Sequence, residues 1–277
     1  MNRDQLVSVI ITTKNEELVI GRLIKSVKNQ SYKHKEIILI DNNSTDQTVK
    51  IAKRLGVKVA NKGPERSAQR NFGAKIAKGS YLLFVDADME LSKNVIEECT
   101  KVGSLEKNLG GVAIPEKSKA SNFWGSVKGF ERSIYNEKGD PITDAARFFP
   151  KNVFEKAGGY DEEITGPEDW DLPEVINKLG YKIIRINALI YHYERISNPF
   201  DLAKKKFYYA KSSYKYLEKH NISPISPKTI YFLRPIFYKN WKKILFNPKL
   251  SIPMFLMLSA ELIGGGLGYL IGRIRKL

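Results

Sequence analysis

Asp86 and Asp88 stand one residue apart at the end of an apolar run, Tyr81-Leu82-Leu83-Phe84-Val85. Carboxylate oxygens suit hard cations such as Mg2+ or Mn2+, and Mg2+ usually takes one or two carboxylates plus substrate phosphates. A pair at this spacing can therefore hold a divalent ion against a diphosphate. Two acids in a row are more often a solvated turn, so the chemical reading depends on what precedes them. A continuous apolar run of this length reads as a strand covered on both faces, the kind found in parallel sheets. Ligands of open α/β sheets sit beyond the carboxyl ends of such strands, where these two acids fall.

Two more apolar runs end in the same way, at Thr12 and at Asp41, each followed by polar residues: Thr13-Lys14-Asn15-Glu16 and Asn42-Asn43-Ser44-Thr45-Asp46. The plain structural reading of Asn15 and Glu16 is a helix N-cap with an acid in the first turn. Arg66 and Arg70 are four apart, on one face of a predicted helix and near its start, where anions are favoured. Lys75 and Lys78 nearby leave a solvated basic face as the alternative. Glu168, Asp169 and Asp171 open another predicted helix after Pro167, where acids are also stabilised by the dipole alone.

The elements that must position these groups alternate. Strands are predicted at 6–12, 36–41, 57–60 and 81–86, with helices at 16–30, 45–55 (capped by Ser44 or Thr45) and 66–77 between them. This order indicates a mostly parallel, Rossmann-like α/β sheet with helices on both faces. Past Asp88 the pattern loosens into helices at 95–102, 122–135, 151–157 and 168–179, and strands at 111–114, 181–186 and 189–193.

The charge of +16 over 277 residues is unevenly spread. Residues 201–250 hold twelve Lys or Arg against Asp201 and Glu218, and 251–277 add a net +2, which leaves +4 for the first 200. The basic character belongs to the last quarter, and an anionic membrane surface or a nucleic acid is the partner class it admits. Nothing in the first 200 residues calls for nucleic acid. One cysteine, Cys99, excludes an internal disulfide. The start Met1-Asn2-Arg3-Asp4 has no apolar stretch, so no signal peptide is expected.

Four motifs in order resemble the family 2 glycosyltransferases of the GT-A fold, over residues 5 to 195, roughly 70 per cent of the chain. They are Val7-Ser8-Val9-Ile10-Ile11-Thr12-Thr13-Lys14-Asn15-Glu16-Glu17; Ile40-Asp41-Asn42-Asn43-Ser44-Thr45-Asp46; Asp86-Ala87-Asp88; and Gly158-Gly159-Tyr160-Asp161-Glu162 with Gly166-Pro167-Glu168-Asp169-Trp170-Asp171. The resemblance implies sugar transfer from a UDP- or GDP-type donor with inversion at the anomeric carbon. On that basis Thr12, Lys14, Asn15, Glu16 and Asp41 hold the nucleobase and ribose, and Arg66, Ser67 and Arg70 line the donor pocket. Within Asp86-Ala87-Asp88, Asp88 is the stronger metal ligand and Asp86 the one for ribose or water, with His192 completing the coordination of Mn2+ or Mg2+. Asp169 is the general base, Asp171 its reserve and Glu168 its neighbour. Trp170 stacks on a sugar ring or packs in the core, and Asp144 and Arg147 are the acceptor candidates. A phosphate-monoester acceptor, as in polyprenyl-phosphate glycosyltransferases, would need no base. A nucleotidyltransferase shares the sheet but is expected to carry a glycine-rich phosphate loop, and Thr12-Thr13-Lys14-Asn15-Glu16-Glu17 has no glycine.

Three divisions are expected: a catalytic domain over 1–198, basic aromatic helices over 199–249 at a membrane surface, and a hydrophobic helix over 250–277. Residues 252–272 are long enough to span a bilayer core. Glu261 near the middle, Gly264-Gly265-Gly266 and basic residues on both flanks favour an interfacial or re-entrant helix, with a full span as second reading. Ala260, Gly264, Gly268 and Gly272 form a small-residue stripe suited to packing on a neighbouring helix or on a second copy of the chain. The expected setting is the cytoplasmic face of the cell membrane, with a lipid-linked or surface-glycan acceptor.

Overall fold

The computed structural model describes residues 5–137, 139–140 and 144–274. The N-terminal Met1-Asn2-Arg3-Asp4 and the basic tail at 275–277 lie outside the described residues. In chain order the elements are β1 (Val7–Thr13), α1 (Ile20–Lys28), β2 (Lys35–Asp41), α2 (Thr48–Arg54), β3 (Lys58–Asn61), α3 (Arg66–Ile76), β4 (Tyr81–Asp86), β5 (Met89–Leu91), α4 (Val95–Leu105) and β6 (Leu109–Ala113). Then follow β7 (Glu116–Ala120), α5 (Phe123–Asn136), β8 (Ala146–Pro150), α6 (Lys151–Lys156), α7 (Glu168–Lys178), β9 (Lys182–Arg185) and β10 (Ile190–Glu194). The chain ends in α8 (Pro199–Lys219), a 3-10 turn at Tyr231–Leu233, α9 (Pro235–Lys239), α10 (Trp241–Leu245) and α11 (Pro248–Ile274).

These elements form two compact units. The first comprises Met1–Glu116, Ala145–Glu162 and Asp169–His192, and the second Lys117–Asp144, Glu163–Glu168 and Tyr193–Leu277. The division differs from a single cut at residue 198, because 117–144 and 163–168 group with the C-terminal segments.

The first unit is built on a seven-stranded sheet in the order β3-β2-β1-β4-β8-β6-β9. β3, β2, β1 and β4 run parallel, and β8 is antiparallel to both its neighbours. Successive side chains alternate faces, and here both faces are apolar. Val7, Val9, Ile11, Leu39, Leu83 and Val85 pack with α1 and α4 on one side. Ile10, Ile38, Ile40, Leu82 and Phe84 pack with α3, α6 and α7 on the other. Covering both faces is why the sequence shows unbroken apolar runs rather than alternation. A short ladder pairs β10 antiparallel with β5.

The second unit gathers Val127, Phe130 and Ile134 of α5 with Leu202 of α8, Phe237 of α9 and Met254, Met257 and Leu258 of α11. Glu261 of α11, buried in this apolar setting, lies 2.8 Å from Lys128 Nζ and 3.4 Å from Lys206 Nζ, and Lys128 also reaches Glu131 at 2.7 Å. The small-residue stripe packs on α8. A Cβ added at Gly264, Gly268 or Gly272 would overlap the carbonyl oxygens of Ala203, Phe207 and Lys211 in turn, so the two helices run in the same direction at backbone contact. The stripe thus has its partner within the chain and is not open to a second copy. Gly268→Val is expected to lower stability by about 1–3 kcal/mol or more, because backbone cannot yield as a side chain can. Gly266→Ala, where an added Cβ meets nothing, is the control, expected to stabilise by up to ~1 kcal/mol; thermal unfolding compares the two.

Candidate active site

Parallel register brings the three strand ends to one edge. Thr12 of β1 stands opposite Asp86 of β4, and Thr13 opposite Asp41 of β2. Thr12 Oγ1 donates to Asp86 Oδ1 at 3.2 Å. The Asp41 carboxylate accepts the Ser44 amide at 2.8 Å and its hydroxyl at 2.6 Å, closing the turn after β2. Behind this edge the buried Gln69 donates from Nε2 to the carbonyls of Thr13 and Ile40, which locks the two strand ends together.

The turn residues serve this edge and cap no helix. α1 begins at Ile20, four residues later than the sequence suggests. Asn15 takes φ 54°, a left-handed conformation Asn tolerates better than most residues. Its amide donates to Ser44 Oγ and its side-chain oxygen accepts from the Thr45 amide, both at 2.8 Å. The Glu16 amide donates to Thr48 Oγ1 at 2.7 Å. Ser44 and Thr45 are thereby used in cross-linking the two turns, and it is Asp46 whose carboxylate takes the Thr48 amide at the start of α2. Lys14 is exposed.

α3 delivers its two arginines differently. Arg66 is the first residue of the helix and half-buried, and Ser67 is buried beneath it. Arg70, only 1% exposed, donates to Asp86 Oδ1 at 3.1 Å and to Asp169 Oδ1 at 2.6 Å. Its guanidinium lies over the Tyr160 ring at 4.9 Å, and Asn71 clamps the Tyr160 backbone through its amide at 2.9 Å and carbonyl at 2.8 Å. The Gly158–Glu162 motif therefore braces Arg70, and Arg70 spans the gap between the strand-end acid and Asp169.

Around Asp88 the β5–β10 ladder sets the geometry. His192 pairs with Met89, which places His192 Nε2 3.3 Å from Asp88 Oδ2. His192 Nδ1 is 3.3 Å from Oε2 of Glu116, the first residue of β7. Glu116 Oε1 accepts from Arg147 Nε and Nη2 at 2.9 and 2.6 Å, and Arg147 Nη1 lies 3.6 Å from Asp86 Oδ2. Asp88, His192, Glu116, Arg147 and Asp86 thus form a chain that returns to its starting motif. Burial pushes the Asp86 carboxyl up, but Arg70, Arg147 and Arg66 outweigh it and hold the group well below the usual carboxylate range. Asp86 is thereby committed to arginines and Thr12, which leaves Asp88 and His192 as the carboxylate and imidazole that face each other. Among the described residues no group of three or more His, Cys, Asp or Glu side chains converges to hold an ion. One carboxylate and one imidazole nonetheless fit Mn2+ with a diphosphate supplying the remaining ligands, a donor set Mg2+ would fill with more water. Ala87 is buried between the two acids.

The acidic segment splits in function. Glu168 belongs to the second unit, is buried, and accepts the Gly166 amide at 2.5 Å, so it braces the loop before α7. Asp171 is buried, 1% exposed. Asp169 retains partial exposure, with one oxygen on Arg70. Trp170 is half-buried. Arg147, expected on the acceptor side, instead joins the Asp86–Glu116 chain, while Asp144 lies in the second unit with its amide on the Asp140 carbonyl. Glu116 was not singled out by the sequence; it stands alone in Pro115-Glu116-Lys117, and no local spacing marks it.

Known proteins resemble this chain in sequence and in fold. An uncharacterized glycosyltransferase of Rickettsia typhi is 45% identical over 94 residues, 33% of this chain and 31% of that protein. The 4,4'-diaponeurosporenoate glycosyltransferase of Staphylococcus haemolyticus is 35% identical over 96 residues, 32% of this chain and 25% of its own. These matches span about a third or less of those relatives' length. Among solved structures, the mannosyltransferase PcManGT from Pyrobaculum calidifontis, in complex with GDP-Man and Mn2+, superposes with a TM-score of 0.61 at 16% identity, over 98% of this chain and 86% of that one. S. aureus TarS 1-349 in complex with UDP-GlcNAc gives 0.54 at 17% identity, over 98% and 91%. At such identities the likeness is one of fold, the GT-A fold. The family described as "Glycosyl transferase family 2" matches residues 8–153, more than half of the chain. The chain, then, belongs to glycosyl transferase family 2.

Proposed function

We propose that this enzyme transfers a sugar, with inversion, from a UDP- or GDP-linked donor to a hydroxyl of a lipid-linked or surface-glycan acceptor at the cytoplasmic face of a membrane. The observation that carries the reading is the single edge where Thr12, Asp41 and Asp86 stand in register and Asp88 meets His192 across the β5–β10 ladder. Acceptor atoms at Asp41 and the Asn15–Glu16 turn suit base N–H and ribose hydroxyls, and Arg66, at the start of α3, suits the phosphates. The GDP-Man and UDP-GlcNAc complexes of the two fold neighbours support a donor of this class.

Asp88 and His192 would hold Mn2+ or Mg2+. A bound ion there supplies charge neutralisation for the departing diphosphate. Glu116 acts behind His192: accepting a hydrogen bond from Nδ1–H keeps the proton on Nδ1 and leaves the Nε2 lone pair directed towards Asp88. Glu116→Gln is expected to weaken Mn2+ binding by about 10–100-fold, read from the titrated EPR signal of free Mn2+. Unchanged affinity would remove Glu116 from this role.

Asp169 serves as the base. As the anomeric carbon loses its bond to the diphosphate oxygen and gains one to the acceptor oxygen, the acceptor proton passes to the Asp169 carboxylate. Arg70 holds that carboxylate in the ground state, so the base is released when the guanidinium turns to the incoming diphosphate. A donor screen tests the whole reading: thermal shift and slow hydrolysis with UDP-, GDP- and dTDP-sugars, each with and without Mn2+. Stabilisation by one nucleotide class, enhanced by Mn2+, is expected. No response to any of them would sink the assignment.

A further inference from the structure

α11 is apolar on every side, and a helix of that kind must be covered all round by protein or by lipid. In this unit only half of it is covered. Ser251, Met254, Met257, Leu258, Glu261, Gly264, Gly268 and Gly272 are buried along one face. Ile252, Leu256, Ile263, Leu267, Leu270 and Ile274 recur three, four and seven apart on the opposite face and are exposed, Ile263 by 64%. Both stripes run the full length of the helix; the outer one includes Ser259, whose hydroxyl donates to the Phe255 carbonyl, and the inner one includes Ser251 and the ion-paired Glu261.

A bilayer-spanning helix would carry its packed neighbours into the hydrocarbon with it. The neighbour along Gly264–Gly272 is α8, with Lys204, Lys205, Lys206 and Lys211 on the same turns. The neighbour along Met254–Leu258 is α5, which bears Lys128, Glu131 and Arg132. Charged side chains at bilayer depth are costly, and Lys204 and Lys205 are exposed on α8. An in-plane helix avoids that cost, because its outer stripe alone meets lipid while its inner stripe stays on protein. The preceding helix matches such a surface: α10 exposes Trp241 and Leu245 beside Lys242, Phe246 is exposed just after it, and Lys249 and Arg273 stand exposed towards the two ends of α11. Aromatic and basic groups together suit anionic headgroups.

We infer that α11 lies in the plane of one leaflet of an anionic membrane, with its Ile252–Ile274 stripe in the hydrocarbon edge, and does not cross it. The inference rests on the membrane setting proposed above and specifies how the chain meets it. The test adds the purified full chain to the outside of preformed sealed vesicles, with and without phosphatidylglycerol. Co-flotation is expected, stronger with the anionic lipid. Lys249→Cys and Arg273→Cys, made singly with Cys99 buried and shielded, should both react with a membrane-impermeant maleimide without detergent. Protection of Arg273→Cys until detergent is added would mean a span and overturn the inference. Ile263→Lys with Leu267→Lys should weaken vesicle partition by at least about tenfold with nucleotide binding intact. Flotation unchanged by this pair would overturn it too, and a dimer dissociated by it in sedimentation velocity would assign the face to a second copy. A wild-type chain that floats with neither vesicle overturns the membrane setting, while the donor screen still stands. A chain that floats but binds no nucleotide sinks the transferase reading and leaves this one standing.

Discussion

Asp169→Asn is expected to lower kcat by roughly two to four orders of magnitude, the range for removing a positioned general base, with donor and Mn2+ affinity unchanged. The amide keeps the shape of the carboxylate and loses the ability to take a proton. It also loses the charge that Arg70 now balances against Asp86 at 3.1 Å and Asp169 at 2.6 Å. Arg70 is thereby left with Asp86 and the diphosphate as its anionic partners, so donor binding should hold or tighten. The split between an intact donor Kd and a collapsed kcat separates a base from a merely structural carboxylate, whose loss would loosen Arg70, raise the donor Kd and lower kcat. If the acceptor is a phosphate monoester, already deprotonated, the same variant raises KM and leaves kcat within a few-fold. The experiment thus distinguishes the two acceptor classes as well as testing the role.

Much of this site was written in strand ends. Because β1, β2 and β4 are buried on both faces, their sequences are continuous apolar runs, and the first polar residue after each run marks the sheet edge. Thr12, Asp41 and Asp86 are therefore legible without coordinates. Asn15, Ser44 and Thr45 were legible as turn residues, but their partners were not. A helix N-cap and a cross-link between two turns use the same side chains, and only the register of β1 on β2 decides between them. His192 needed the β10–β5 ladder to bring it to Asp88. Glu116 had no signal, because its partners His192 and Arg147 are 76 and 31 residues away and no short-range spacing encodes them. Glu261 was legible as an anomaly in a greasy helix. Its explanation lay 133 residues earlier, at Lys128.

That anomaly carries the largest expected effect on stability. Lys128→Met should destabilise the second unit by about 3–5 kcal/mol at neutral pH, the range for removing one partner of a buried ion pair. The reason is that Lys128 sits between two buried carboxylates, Glu131 at 2.7 Å and Glu261 at 2.8 Å, and Met replaces its length but not its charge. The pH dependence identifies the cause. In the native chain burial pushes the Glu261 carboxyl up, yet Lys128 and Lys206 prevail and hold it at about 2, against an ordinary value of 4.5. A depressed carboxylate contributes stability that is present above 4.5 and lost as pH falls towards 2, roughly 3 kcal/mol at 1.36 kcal/mol per unit. Without Lys128 the burial effect gains on the remaining attraction of Lys206, the carboxyl rises, and protonation relieves the folded state. The deficit of the variant should therefore be greatest near pH 7 and shrink between pH 5 and 3, as read from thermal unfolding of both chains across that window. A deficit that stays constant with pH would trace the loss to packing of the lysine stem and not to its charge.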